Sequence, residues 1–553
     1  MQEDKREKEE LEIAAETMDH LGLVAAVAQE LKIAERIDKR LFGGDDRRKV
    51  TPGQAVVAMI LNGLGFVDHR LYMVASFYEN KPVDKLLGGN IKSEYLNDYT
   101  LGHALDEIYA YGVTNLFMEV VNEILQENNL YNKFRRIDST SIYVEGAYDN
   151  YPESDLHITH GHSKDHRPDL KQFMVSLSVT GKAELPHFLE VHDGNTSDGK
   201  KFPTVIEKIH KFESNLMTNE DVIYVADAAL YNAENVLSMK GIQWISRVPE
   251  TISQCKDIVK LTNEEIEWKE IDDNYKLCEF ASEYGLVKQR WILVFSNAAC
   301  RKETRTFADN VDKATKELEK LIEHFENKEF ASVDLASEEL KKLSKKYKYH
   351  KVEISRTTEV NHYSTPGRHA DDEKPLRIGF KFVLKYFNDK VEIQDELNTK
   401  GRFVLATNVL SEDILDSKTV LEEYKNQQHT ERGFRFLKDS KFMTDEVYLK
   451  NPNRIQSLMM IMTLCLLVYK YSQYKIRKIL IETNDTLPNQ KKREVQNPTM
   501  KWLYQKMLGV IVMRLNPYSP EEKIIMSNIN ETREKIIRLF GTHACKIYSL
   551  HPD

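Results

Sequence analysis

The chain has 553 residues, 41% of them apolar and 30% charged, which is enough hydrophobic material for several cores and carries no bias toward disorder or a fibrous repeat. A formal charge of -9 and a pI of 6.1 exclude wholesale basic attraction to nucleic acid or membrane and leave room for locally basic faces. The five cysteines are widely spaced with no C-x-x-C, which argues against a disulfide framework or zinc ribbon and points to a reducing cytoplasm.

In chain order, the opening MQEDKREKEELEIAAE is charged and lacks the apolar core of a signal peptide. Residues 1–130 read as a helical domain. Thr51-Pro52 is a cap followed by proline at the first helical position, and Asn97 to Thr100 starts a second helix with apolar residues at three and four. From Phe134 the period changes. RRIDSTSIYVEG, FMVSLSVTG and HFLEVHDGN predict three successive strands, followed by a helix (DGKKFPTVIEKIHKF), the strand VIYVADAAL, a helix (NAENVLSMK) and the strand IQWISRVP. Such an order over 131–249 predicts a mixed α/β sheet.

Residues 250–410 interrupt it with strand-like pieces around a long charged helical stretch from Lys302 to about Lys348, so an inserted α+β domain is expected. After it the chain returns to helix, over 411–450 and again over 451–553, with Lys491-Lys492-Arg493 in a polar loop. The longest apolar run, Leu458 to Tyr469, falls short of the roughly 20 residues that cross a bilayer and predicts a buried helix rather than a membrane span.

Two acids stand out because they break strand-like runs: Asp138 in FRRIDSTSIYVEG and Asp227 at the end of VIYVADAAL, where sites form in parallel sheets. Either one alone also fits an acid that ends a strand or caps a helix. A third feature is EEYKNQQHTERGFRFLKDS. At roughly 100° per residue Gln427, Glu431 and Lys438 share one helical stripe, with Tyr424 and Arg435 beside it. Hydroxyl, amide, carboxylate and two cations make a poor core face, the plainer alternative being a solvated side with Glu431 paired to Arg435. Three carboxylates gathered from separate elements repel unless a divalent cation binds or a proton is kept. Hard oxygen ligands favour Mg²⁺ or Mn²⁺, two of which serve phosphodiester chemistry.

The order Asp138 (IDST), Asp227 (VADAAL), then Y-x2-Q-x3-E-x6-K after a long insertion resembles the bacterial and archaeal insertion-sequence DDE transposases with a Tyr, Arg, Glu, Lys signature. GHSKDHRPDLKQ (161–172) also looks like a motif of one large subgroup, and residues 20–125 resemble its N-terminal domain. The resemblance implies a ribonuclease-H-like core in 131–249 and 411–450, flanked by N-terminal (1–130, end-DNA recognition) and C-terminal (451–553) helical regions and interrupted by the insertion at 250–410. It implies Asp138, Asp227 and Glu431 as catalytic ligands of two Mg²⁺ (or Mn²⁺) ions. Tyr424, Gln427, Arg435 and Lys438, with Lys164, Arg167 and Lys171 of the 161–172 segment, are the expected phosphate contacts. The family's arginine position is Gln427 here, and Arg435 is the expected compensating cation.

The expected activity is metal-dependent cleavage and strand transfer at terminal inverted repeats, on transposon-end and target DNA, by a homodimer in the cytoplasm. A nuclease of the same fold and a non-catalytic DNA-binding descendant are the alternatives. Trp291 and Trp268 are stacking candidates for a flipped base, although a strand tryptophan is more often core. His157, His160, His162 and His166 fit no common zinc spacing. KKLSKKYKYHK (341–351) mixes lysines with Tyr347 and Tyr349, as a strand-tracking surface would, or as a solvated face.

Overall fold

The chain folds as two units, one comprising Met1–Trp244 with Glu423–Asp553 and the other Ile245–Glu422. The computed structural model describes residues 12–44, 47–65, 74–146, 148, 153–214, 222–364, 366–367, 374–438, 450–517 and 519–551. The charged stretch before Glu12 and the end of the 411–450 segment beyond Lys438 lie outside the described residues.

The first unit opens with strand β1 (Ile13–Thr17) and helices α1 (Leu21–Glu30), α2 (Ile33–Leu41), α3 (Pro52–Gly63), α4 (Val74–Tyr78), α5 (Val83–Leu87), α6 (Asp98–Tyr111) and α7 (Val113–Glu127). Helix α3 starts where its sequence predicts. The Thr51 hydroxyl accepts from Gln54 N–H (3.2 Å), and the Gln54 side chain accepts from Thr51 N–H (3.0 Å). Gly53 lets α3 press onto α2, since a Cβ there would meet the Ala34 carbonyl oxygen at 2.1 Å.

The alternating run then forms β2 (Phe134–Val144), β3 (Lys171–Thr180) and β4 (Leu185–His192) as an antiparallel meander. Helix α8 (Asp198–Ser214) leads to β5 (Ile223–Ala226), parallel to β2, and α9 (Ala233–Ser238) leads to β6 (Gln243–Arg247). Strand order β4-β3-β2-β5, with one parallel and two antiparallel pairings, is the mixed sheet read from the sequence.

The second unit contains α10 (Ser253–Lys260), β7 (Lys269–Glu270), β8 (Tyr275–Tyr284), β9 (Val287–Ser296), α11 (Asn297–Asn327), α12 (Val333–Lys346), β10 (His350–His362), β11 (Arg377–Asn388), α13 (Lys390–Thr399) and β12 (Arg402–Thr407). Its sheet strands are antiparallel neighbours in the order β6-β12-β9-β8-β7, and β10 and β11 form a separate hairpin. The charged stretch expected as one helix is two, α11 and α12, which share with the hairpin a core of Leu318, Ile322, Phe325, Phe330 and Phe382. Trp291 is 0% exposed on β9, so it is core and no stacking platform. Trp268 donates its indole N–H to Asn263 (3.3 Å) under the Arg402 guanidinium. In the lysine-rich stretch, Tyr347 is buried in the hairpin core and the Tyr349 hydroxyl donates to Glu396 (3.2 Å), so these rings do not track a strand.

The remaining helices are α14 (Ser417–Asn426), α15 (Gln428–Leu437), α16 (Pro452–Glu482), α17 (Met500–Lys506), α18 (Glu531–Leu539) and α19 (Thr542–Ile547). Between α16 and α18 lie four strands: β13 (Leu487–Pro488) and β14 (Glu494–Val495) as a small hairpin, then β15 (Ile511–Leu515) and β16 (Lys523–Ser527). Helix α16 is long and apolar enough to span a bilayer by composition, yet Met459 to Val468 are buried in the first unit's core, as expected. Two regions expected to be wholly helical are corrected: β1 pairs with β15, and β15 with β16. IAAET has weak local strand preference, and partners some 500 residues away in the chain decide its conformation.

Candidate active site

Strand β2 is buried along nearly its whole length, and Asp138 is one of two breaks in that pattern, half-exposed between Ile137 and Ser139. Its carboxylate accepts the Ser139 N–H at 2.7 Å, which orients it with the backbone. Asp227 follows the last residue of β5. There it caps a single turn of 3₁₀ helix, its carboxylate accepting the Ala229 N–H at 2.9 Å. Phe134, Arg135 and Arg136 lie opposite Ile223, Tyr224 and Val225, an offset of 89 residues. Asp227 follows Asp138 by the same 89, so the two acids stand at the same level of neighbouring parallel chains.

The third acid arrives on a helix broken in two. The stripe expected on one helix is split at Gln427, which joins α14 to α15. Three contacts fix this pair of helices to β2 and β3. Glu423 pairs with Arg136, which points to the same face of β2 as Asp138. Gln427, 6% exposed, donates its amide N–H to the Ile137 carbonyl oxygen at 3.3 Å. Gly433 lies against Leu177 and Leu466, so close that a Cβ would meet each at 3.3 Å, and Leu177 is the cross-strand partner of Asp138. Glu431 sits between the second and third of these anchors, on the exposed side of α15 with Arg435.

Lys438 closes α15, and its ammonium binds both carboxylate oxygens of Asp165 at 2.9 and 2.7 Å. The Lys164 ammonium donates to the Ser139 carbonyl oxygen (2.5 Å), and the Lys164 N–H to the Ser141 hydroxyl (3.0 Å). The 161–172 segment is thereby sewn to β2 directly after Asp138 and to the end of α15. Gln172 holds its base, donating to the Gly194 (2.7 Å) and His162 (3.3 Å) carbonyl oxygens. Arg167 is exposed, paired with Asp169 (2.9 Å) and stacked near the Tyr143 ring (5.6 Å). Tyr424 and Lys171 are half-buried.

Among the described residues no three His, Cys, Asp or Glu side chains converge into a ready-made metal site, whether from the 157–166 histidines or from the three acids. The strand register therefore sets Asp138 and Asp227 level with each other, and α15, packed on β2, carries Glu431 on its exposed side, the three forming no closed ligand set among the described residues. Gln427, expected at a phosphate, is instead buried against backbone. Sequence reasoning missed Arg136, Glu423 and Asp165. Asp165 lies inside the quoted GHSKDHRPDLKQ motif, and its acid beside Lys164 was the available signal.

Residues 133–468 match the family model described as transposase DDE domain, and residues 13–122 match a domain of unknown function, DUF4277. No curated protein matches the chain. Among solved structures, the piggyBac transposase in its cryo-EM synaptic complex with hairpin DNA is similar at a TM-score of 0.36 and 7% identity, over 90% of this chain and 82% of that one.

Proposed function

The chain belongs to the transposase DDE-domain family and is a DNA transposase, and from that premise we propose that Asp138, Asp227 and Glu431 are its catalytic acids. The observation that carries the assignment is the shared 89-residue offset, which sets two carboxylates level at the open end of a parallel pair. Hard oxygen donors of this kind suit divalent cations, Mg²⁺ or Mn²⁺. Two such ions, when bound, supply activation of an attacking oxygen and stabilisation of a leaving oxygen in phosphodiester exchange.

The protein's own share is positioning. Backbone N–H groups of Ser139 and Ala229 hold Asp138 and Asp227, while Gln427 and Gly433 fix the helix that presents Glu431. Arg435 stands one turn from Glu431 and takes the place of the cation absent at Gln427. Tyr424, Lys164, Arg167, Lys171 and Lys438 border the phosphate path, Lys438 held in place by Asp165.

In this reading the core is ribonuclease-H-like and 250–410 is a domain inserted into it. The substrates are terminal inverted repeats and target DNA, cut and joined in the cytoplasm by a homodimer. The test is incubation of purified protein with a labelled terminal-repeat duplex, with Mg²⁺ or EDTA, beside Asp138→Ala, Asp227→Ala and Glu431→Ala. Metal-dependent nicks and joined products that vanish in each variant are expected. Nicks without joining would make the protein a nuclease, and binding without cleavage a non-catalytic descendant.

A further inference from the structure

The N-terminal helices carry a cleft that the catalytic reading does not use. It has a volume of about 540 Å³ and lies between the first turns of α3 and α6, closed on one side by Arg47, Arg48 and Lys49 and on another by Tyr95, Tyr99 and His103. Arg47, Arg48 and Lys49 are exposed side by side. Arg48 makes a two-pronged pair with Glu107, one prong at 3.1 Å, which pins the basic segment to α6 and neutralises the acid lining the cleft. The Lys49 ammonium lies 4.3 Å from the centre of the Tyr95 ring.

Tyr99 is the unusual member. It is 74% exposed, and its ring is braced edge-on by His103, one turn along the same helix, at 4.9 Å. A large aromatic ring this exposed, lining the same cleft as three cations, contributes little to packing. Asp45 and Asp46, which precede the basic run, lie outside the described residues.

Basic groups beside an exposed ring are the two halves of a nucleotide contact: cations for phosphate, a π-face for base. The volume falls within the range for a single small-molecule-sized occupant rather than a duplex groove. We propose that this cleft binds one unpaired nucleotide of the DNA substrate, with Arg47 and Lys49 on its phosphates and its base against Tyr99. The proposal rests on the DNA-transposase reading and adds a second DNA contact, on the N-terminal helices, specific for unpaired DNA.

The experiment is fluorescence anisotropy of the full-length protein with a blunt duplex and with the same duplex bearing a single-stranded flap, over a range of salt concentrations. Wild type binds the flapped DNA several-fold tighter. Tyr99→Ala weakens flap binding about 5- to 100-fold and abolishes the preference, while Tyr99→Phe keeps it. Arg47→Ala with Lys49→Ala weakens flap binding and lowers its slope of log affinity against log salt by about 1 to 2, with little effect on the blunt duplex. A preference that survives Tyr99→Ala, or an unchanged slope in the double variant, overturns the cleft while leaving the transposase reading intact. A wild-type protein that binds neither DNA overturns both.

Discussion

Gln427 donates its side-chain N–H to the carbonyl oxygen of Ile137 at 3.3 Å, tying the junction of α14 and α15 to the residue before Asp138. The contact makes Gln427 a positioning residue for Glu431, one turn further on. Gln427→Ala leaves a buried carbonyl without this donor, at a cost of about 1–2 kcal/mol. Gln427→Arg puts a guanidinium at a residue only 6% exposed, and the buried charge costs more than the restored cation gains. Both variants are therefore expected to melt earlier and to cleave more slowly than wild type. Thermal melts beside single-turnover nicking check this, and an arginine variant that nicks faster would show that the position serves phosphate.

Level carboxylates on neighbouring strands repel in the absence of a cation, and binding one turns that repulsion into stabilisation. Mg²⁺ is expected to raise the melting temperature of the wild type. Asp138→Asn and Asp227→Asn are expected to melt slightly higher than wild type in EDTA, by the equivalent of roughly 1 kcal/mol, and to lose the Mg²⁺-dependent rise. Scanning fluorimetry with and without Mg²⁺ decides it. An undiminished rise in both variants would place the metal elsewhere.

Gly433 tests how closely α15 must lie on the sheet. Leu177 and Leu466 each stand 3.3 Å from where a Cβ would be, and both are flexible side-chain ends. Alanine asks them to give by a few tenths of an ångström and recovers about 1 kcal/mol of helix propensity, so Gly433→Ala should be nearly neutral. Gly433→Val overpacks the same spot, costing about 1–3 kcal/mol and lifting Glu431 away from Asp138. Cleavage by the valine variant should fall more steeply than its binding of terminal-repeat DNA. Equal loss of both would mean that the fold itself has failed.

These contacts show which parts of the site were legible in the sequence. Asp138 and Asp227 announce themselves because an acid in a β-branched run is a local contradiction, visible within ten residues. The interruption of the helix at Gln427 was not legible, since periodicity does not report a break in the helix and the junction is held by a backbone carbonyl 290 residues away. The Lys438–Asp165 pair is equally non-local. So is the little sheet of β1, β15 and β16, where buried Arg514 gathers Glu16 (2.6 Å) and Asp84 (2.5 Å) from two distant segments beside the nearby Glu522 (2.9 Å). Periodicity reports which face is buried, and it carries no word of the partner.

His20 gives the first unit a predictable acid response. Its ring is fully buried, stacked on Tyr504 at 4.6 Å, with Nε2–H donating to the Leu64 carbonyl oxygen at 2.8 Å. Burial, aided by the Lys81 charge and opposed by the Leu64 hydrogen bond, lowers its pKa from 6.5 to about 4. The unfolded chain therefore binds a proton at His20 between pH 6.5 and 4 that the folded chain refuses, so stability falls as pH drops through that window and is fully present above it. The shift corresponds to about 3 kcal/mol. His187 and His192, both lowered by burial, push in the same direction. His20→Phe keeps the stack on Tyr504 and removes the titrating group. Urea unfolding at pH 7, 5.5 and 4.5 should show the variant slightly weaker at pH 7 and less sensitive to acid than wild type. An identical pH slope in the two proteins would mean that His20 is protonated in the fold and that its burial carries no proton linkage.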